Sequence, residues 1–454
     1  MRRWLFILLF FMNCCIEIEG QSSYLQLTNI PSLYIETTDG KEIVDKTNYI
    51  ICKVVLVDGD KVDTYENTQI RGRGNSSWYA QKKPYRLKFA KKQAFLGTNF
   101  AKAKSWTLLA NHADKTMIRN ALTYDLGKFM GFSFCPAAIF VDLFLNGCYR
   151  GTYQISDQVQ VNSRRVEVDE STGWLLELTD NIHKDDPYIV TDRNFYINIK
   201  NPDDENLTTS CLQEIKDWCN QLSSTIWSDD YCNPNTGYRS MIDEQSFIDW
   251  YIATELTGNV DGFNSIYAYK EQDESRLHFG PLWDEDLGYN NSSERDWTIS
   301  LLSFTNHEGR PLSITMRRLW NDYWFAQTVN DRWNELLNDG LQSYLIEKID
   351  SLSNLLVLSQ EENFKLWPID ETVYGFERQD FHQTYEAYID DLKDFINRHI
   401  FYMSQKFSEL LKAASIQRIT IYDNSEKIFN MTGQRVFSPT KHGVYIRGKK
   451  KVIL

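Results

Sequence analysis

The spacing of apolar residues along this chain turns from mainly strand-like to mainly helical near Asp204, and that change limits the fold more than any other feature. Before it, runs such as Ser32–Glu36, Tyr49–Val57 and Tyr85–Phe89 alternate every second residue and are separated by Asp39-Gly40, Asp58-Gly59 and Asn146-Gly147. Alternation of period two puts one set of side chains on one face of a strand, and Asx-Gly pairs suit tight hairpins. After it, Leu212–Ile226, Glu244–Leu256, Ser313–Leu337, Leu341–Leu356 and Phe381–Leu411 repeat apolar residues at three- and four-residue intervals, as helices do. In the last of these, Tyr385, Tyr388, Ile389, Leu392, Phe395, Ile396 and Ile400 form one continuous face. Strands followed by helices predict an α+β fold, with a mainly antiparallel N-terminal β region and a helical C-terminal region.

Smaller elements fit into this frame. Trp106–Asn111 reads as a short buried strand, and Asp114 as the N-cap of a helix from Lys115 to Met130 closed by Gly131. Ala138–Leu145 and Tyr149–Val159 form a hairpin about Asn146-Gly147, and Gly173–Thr179 and Phe195–Ile199 are further strands. Ala413-Ala414-Ser415 reads as a linker to a small β-rich tail over 413–454.

Met1–Gly20 has the form of a secretory signal peptide: Arg2 and Arg3, then an apolar run from Trp4 to Met12 too short to span a bilayer. The expectation is a secreted or cell-surface protein, with the periplasm as alternative, whose domain occupies 21–412. No later run is long and apolar enough for a transmembrane helix. Cys52, Cys135, Cys148, Cys211, Cys219 and Cys232 would remain, free to form disulfides after export but without zinc-ribbon or redox spacing. The net charge of −13 argues against nucleic acid as partner, although a nucleotide needs only a local basic patch.

Two windows could carry chemistry. Asp261 and Asp284 each sit where an apolar run meets a glycine-bearing turn, and Ser265–Lys270 between them alternates as a strand. Both acids are therefore expected at the ends of neighbouring strands, with Asn264 close to the first. Two carboxylates and an amide are hard oxygen ligands suited to Mg²⁺ or Mn²⁺, and the same aspartates could equally cap turns. The other window is Ile70-Arg71-Gly72-Arg73-Gly74-Asn75-Ser76-Ser77-Trp78, followed by Lys83-Pro84-Tyr85-Arg86-Leu87-Lys88-Phe89. A glycine-rich turn can aim backbone N–H groups at an anion, while a basic strand face (Arg86, Lys88) reaches its oxygens. A solvated turn beside an ordinary basic strand is the alternative.

Taken in order, these pieces resemble the spore coat protein H (CotH) kinase family. Arg71–Trp78 with Lys83–Phe89, Asp114 with Arg119-Asn120, Gly151-Thr152-Tyr153 with Asp157-Gln158, and Asp261 with Trp283-Asp284-Glu285-Asp286 carry the resemblance, which spans roughly Ser32–Phe407. It implies a divergent protein-kinase-like fold that transfers phosphate from ATP to Ser or Thr of an exported protein, with Mg²⁺ or Mn²⁺. By the same resemblance, Arg71, Gly72, Gly74, Asn75, Ser76 and Ser77 would cover the nucleotide. Lys88, or Arg86 on the same face, would meet the phosphates. Asp261 would bind metal or accept the substrate's proton, Asn264 would help hold the metal, Asp284 would hold it, and Asp286 is a second candidate. The family usually has glutamate at Asp157; if that group pairs with the strand lysine, a side chain one methylene shorter falls short. A catalytically silent surface adhesin or scaffold is therefore the alternative. A third reading, from many Trp and Tyr, abundant carboxylates and export, is a carbohydrate-active protein. The tail from Ile419 to Leu454 resembles the C-terminal β module of exported proteins from Bacteroidetes-type bacteria, on Asn430–Val436 and Gly443–Val452.

Overall fold

The computed structural model describes residues 24–179, 186–203, 205–262, 264–293, 296–298, 300 and 311–426, and in the tail 428–429, 431, 434–436, 444–447 and 450–453. The stretch expected to be a signal peptide, Met1–Gly20 with Cys14 and Cys15, and Phe263 in the acid window lie outside the described residues, as does much of the tail motif.

Seven strands close into a barrel: β1 (Ser32–Thr37), β2 (Ile50–Asp58), β3 (Lys61–Gly72), β4 (Tyr85–Gln93), β5 (Ala103–Leu109), β6 (Ile139–Leu145) and β7 (Cys148–Asp157). Their order is β1-β2-β3-β4-β5-β7-β6, and closure comes from β1 lying parallel to β6 while every other pair is antiparallel. The two-residue period dictates what fills it: Leu33 and Ile35, Leu87 and Phe89, Trp106 and Leu108, and Tyr153 and Ile155 all point into one buried cluster. The intervening residues, Arg86 and Lys88 among them, face outward.

Between β5 and β6 runs α1 (Arg119–Met130), which begins four residues later than the sequence suggests. Met117 takes a left-handed φ of 60°, so the backbone turns before the helix forms. The N-cap position is therefore Ile118 and not Asp114, whose carboxylate instead folds the turn before the helix by accepting the N–H groups of Thr116 and Arg119 at 2.9 Å each. A second, antiparallel sheet follows, in the order β12-β11-β8-β10-β9, from β8 (Trp174–Thr179), β9 (Tyr188–Val190), β10 (Tyr196–Asn201), β11 (Ile266–Lys270) and β12 (His278–Phe279). Trp174, Leu176, Ile197, Ile199, Ile266 and Ala268 of this sheet share one core with the helices. The other face, with Glu177, Asn198 and Tyr267 in register, is the polar one.

The helices are α2 (Thr209–Trp227), α3 (Glu244–Thr257), α4 (Pro311–Leu319), α5 (Tyr323–Asn338), α6 (Leu341–Leu355), α7 (Val357–Leu366) and α8 (Tyr385–Glu426). The expected single helix over 313–337 is two, because Asp322 caps a new start by accepting the Trp324 N–H at 3.1 Å. The sequence gives no sign of α7, since Val357, Leu358 and Leu366 are half exposed. Its buried side chains are polar, and Asn363 accepts from Lys82 Nζ at 2.9 Å and from the Thr152 N–H at 3.1 Å. Ala413-Ala414-Ser415 is not a linker: α8 continues through it, with Ala414 buried. Beyond it lie β13 (Ile428–Phe429), β14 (Arg435–Val436), β15 (Val444–Arg447) and β16 (Lys450–Ile453), a small antiparallel sheet. Among the described residues no helix is long and apolar enough to cross a membrane, and Cys52, Cys135, Cys211, Cys219 and Cys232 form no disulfide.

Candidate active site

A polar cleft of about 250 Å³ opens where the barrel, the second sheet and the loop after β12 meet. The turn after β3 forms one wall with Arg73, Gly74, Asn75, Ser76 and Ser77; the polar face of the second sheet forms another with Glu177, Lys200 and Tyr267; Asp261, Trp283, Asp284 and Asp286 face them. Both sequence windows thus reach one cavity. A second, smaller cavity among Leu176, Phe247, Met316 and their neighbours is almost wholly apolar and has no acid or base for chemistry.

The two acid windows meet because β11 and β12 are antiparallel, so the residues before one strand and after the other emerge at the same end. Asn259 ties them together. Its Nδ2 donates to the Asp284 carbonyl at 3.0 Å and to Glu285 Oε2 at 3.1 Å, and its Oδ1 accepts the Asp261 N–H at 3.0 Å. Asp284 holds a left-handed φ of 64° and Ser265 one of 52°, conformations that cost a non-glycine residue free energy and gather at functional sites. The Asp284–Asp286 loop is buttressed from α1: Asn120 Oδ1 accepts the Glu285 N–H at 2.8 Å, and Arg119, ion-paired with Asp114, donates to the carbonyls of Gly288 at 3.1 Å and Tyr289 at 3.3 Å. Arg119 is thus spent on backbone, away from the cleft.

Electrostatics distinguish the acids. The Asp261 and Asp284 side chains are exposed in the cleft. Asp286 has its carboxyl withdrawn from water; that desolvation, then the charges of Asp284, Asp114 and Asp261, holds it well above the usual carboxylate range. Burial pushes Glu285 up to about 8, with the Asp284 charge adding to it against hydrogen bonds from Thr257 and Asn259.

On the sheet wall Lys200 Nζ lies 2.8 Å from Glu177 Oε2 and 2.6 Å from Asp186 Oδ2, and Tyr267 donates to Glu177 Oε1 at 3.3 Å. Burial works against the Lys200 ammonium, yet Glu177 and Asp186 together hold it above the ordinary lysine value. Neither Glu177 nor Lys200 stood out in the sequence reading. The available signal was a glutamate inside the apolar run Trp174-Leu175-Leu176-Glu177-Leu178, since a charge in a buried strand needs a partner.

Several expected site residues are engaged elsewhere. Lys88 is exposed on the outer face of β4, over the Tyr49 ring at 5.6 Å, because the alternation that buries Leu87 and Phe89 turns it out of the barrel. Arg86, on the same face, reaches Ser105 Oγ at 3.5 Å and does not line the cleft. Arg71 donates to the Lys46 carbonyl and stacks over Tyr49. The Gly72 N–H is used on the Asp45 carbonyl at 3.0 Å, and a Cβ there would strike the Trp78 ring at 2.3 Å, so this glycine serves packing. Gly74, at φ 86°, does line the cleft, and Lys46 holds its carbonyl at 2.8 Å. Asp157 is buried against Arg165 at 2.6 Å and accepts the Ala137 N–H at 2.9 Å; its neighbour Gln158 is the one in the cleft. Asn264 Nδ2 donates to Asp261 Oδ1 at 3.3 Å, orienting that carboxylate.

Residues 70–403 match the family model described as CotH kinase protein. The chain belongs to the CotH kinase family. The match begins in the last residues of β3 and ends inside α8, so it covers every residue that lines the cleft. No curated protein matches the chain. Family membership carries kinase-type phosphotransfer with ATP as the activity to be expected of this cleft.

Proposed function

We propose that this CotH-family chain is an exported atypical protein kinase, which transfers the γ-phosphate of ATP to Ser or Thr of an exported or surface protein. The observation that carries the reading is the convergence, across one cleft, of a glycine-bearing turn, a Lys200–Glu177 ion pair and the Asp261–Asp284–Asp286 carboxylates. Phosphoryl transfer needs these parts: donors over the phosphates, a cation held by a carboxylate, and acids for metal and acceptor. Arg73 and Lys200 are the cations that line the cleft and take the place expected of Lys88.

Among the described residues no group of three or more His, Cys, Asp or Glu forms a protein-only metal cage. Mg²⁺ does not need one, since it takes one or two carboxylates and completes its octahedron with phosphate oxygens and water. Asp284 and Asp286, whose mutual repulsion a cation would relieve, fit that mode, with Asp261 as the third candidate. When bound, Mg²⁺ or Mn²⁺ neutralises charge on the β- and γ-phosphates. The protein's own part is to hold and align. The acceptor hydroxyl oxygen bonds to the γ-phosphorus, the bond from that phosphorus to the bridging oxygen breaks, and ADP leaves with the electron pair. Asp261, exposed in the cleft and oriented by Asn264, accepts the hydroxyl proton.

The scaffold reading had two grounds, Asp157 and the scarcity of ATP in an extracellular setting; the first falls, because Asp157 serves Arg165 whereas Glu177 serves the cleft lysine. The carbohydrate reading gains little from the many aromatics, since the largest buried ones, Trp106, Trp174 and Trp333, pack in the two cores. Export, with Met1–Gly20 removed and the tail as an attachment module, belongs to the proposal. Calorimetry with Mg·ATP tests the cleft: micromolar binding lost in Lys200→Ala supports it, and equal binding by both proteins removes Lys200 from the nucleotide.

A further inference from the structure

An aromatic wall of the cleft is formed by the strap between α7 and α8. Tyr374 and Phe376 stack with ring centroids 4.9 Å apart and planes 14° from parallel, and both line the cavity. Phe376 is 42% exposed, so its ring is displayed rather than used for packing. The strap that displays it is fixed. The buried Glu377 carboxylate accepts the N–H groups of Val373 at 2.6 Å, Tyr374 at 3.0 Å and Gly375 at 2.8 Å. The Phe376 carbonyl accepts the Ser293 N–H at 2.9 Å, and the Arg378 N–H donates to the Asn291 carbonyl at 3.3 Å. Arg378 is itself held by Asp380 and Asp391. A flat ring held in place before a ligand arrives loses little entropy on binding.

Position decides which ligand the wall serves. Asn291, whose carbonyl accepts the Arg378 N–H, donates through Nδ2 to the Asp286 carbonyl at 2.7 Å, so the strap is tied to the acid-bearing loop and the stacked pair stands at the acidic end of the cleft. That is the reacting end, where the acceptor hydroxyl must lie. A nucleotide base sits a whole triphosphate away from the phosphorus that reacts, whereas successive Cα atoms of a peptide are only about 3.8 Å apart. A residue next to the acceptor therefore falls beside these rings. We infer that the Tyr374–Phe376 pair is the docking wall for the acceptor peptide and takes an apolar or aromatic side chain adjacent to the phosphorylated Ser or Thr.

This inference rests on the kinase reading, and the test separates the two. The full chain with Mg·ATP is given a position-scanning library of Ser-containing peptides, and KM for peptide and for ATP is measured for wild type and Phe376→Ala. Labelling of any peptide by wild type tests the kinase reading; no labelling overturns both. The wall predicts a wild-type preference for Leu, Phe or Tyr at one position flanking the acceptor. It also predicts that Phe376→Ala raises the preferred peptide's KM about tenfold, the size of a lost aromatic contact, with KM for ATP unchanged. Labelling without a flanking preference, or a preference that survives in Phe376→Ala, overturns the wall and leaves the kinase. A KM for ATP that rises as much as that for peptide assigns the rings to the nucleotide instead. Phe376→Leu, which keeps an apolar group at the same place, should recover part of the preference and guards against misfolding of the alanine variant.

Discussion

Asn259→Ala perturbs a side chain that joins the two acid windows. Asn259 is buried and makes three hydrogen bonds, to Asp261, Asp284 and Glu285. Each is worth about 1 kcal/mol net, and stranding the Glu285 carboxyl adds desolvation cost, so the loss of stability should be about 2–4 kcal/mol. In a chain of this size that lowers Tm by several degrees. The larger effect should be on chemistry. With the tie gone, the carboxylates can drift by ~1 Å, enough to cost about a hundredfold in rate. The assay is kcat, KM for ATP and the half-saturating Mg²⁺ concentration, beside a thermal melt, with Leu392→Ala as control. Leu392 is fully buried in the helical core on α8, so its truncation costs a similar 2–5 kcal/mol without touching the cleft. Asn259→Ala should lower kcat and raise the Mg²⁺ requirement, while Leu392→Ala should melt early and keep both. Equal kinetics in the two variants at a temperature where both are folded would refute the positioning role.

Three further outcomes follow from the same geometry. Asp157→Ala strands the buried Arg165 guanidinium, so it should cost about 3–5 kcal/mol in chemical denaturation, with the Kd for Mg·ATP unchanged in the folded fraction. Lys88→Ala should leave Mg·ATP affinity within twofold of wild type by calorimetry, since its ammonium lies outside the cleft. His278 is raised to about 9 by Asp243, its ion-pair partner at 3.7 Å, with Glu274, hydrogen-bonded at 2.6 Å, adding to it against partial burial. A folded-state pKa above the unfolded value gives stability that is complete below about 6.5 and fades as pH rises through about 9. Tm of wild type should therefore fall relative to His278→Gln between those limits, and parallel Tm curves would contradict the pairing.

What the sequence disclosed and what it hid have physical causes. Barrel strands such as β4 were legible because the barrel encloses one face of each, which enforces alternation as in Tyr85, Leu87 and Phe89, whereas β3 (Lys61–Gly72), mostly polar and exposed over its first half, was not read as a strand. The acid windows were legible because a glycine-bearing turn and an apolar run bracket each aspartate. Three features were not. Asp322 breaks one helix into two although the apolar period runs on across it, and α7 buries Ser359 and Asn363 where the reading looked for apolar residues. Most consequentially, which cation meets the cleft depends on how two sheets sit against each other. Lys88 and Lys200 both lie on alternating strands, and only the packing of the second sheet beside the turn after β3 selects Lys200.

The central claim is that this cleft transfers phosphate. Incubating the full chain with γ-labelled ATP, Mg²⁺ and a mixture of Ser- and Thr-containing proteins, beside Asp261→Ala and Asp284→Ala, tests it directly. The account predicts labelled phosphoserine or phosphothreonine with wild type and at least a hundredfold less with either variant. Equal labelling by all three proteins, or none by wild type, would contradict it.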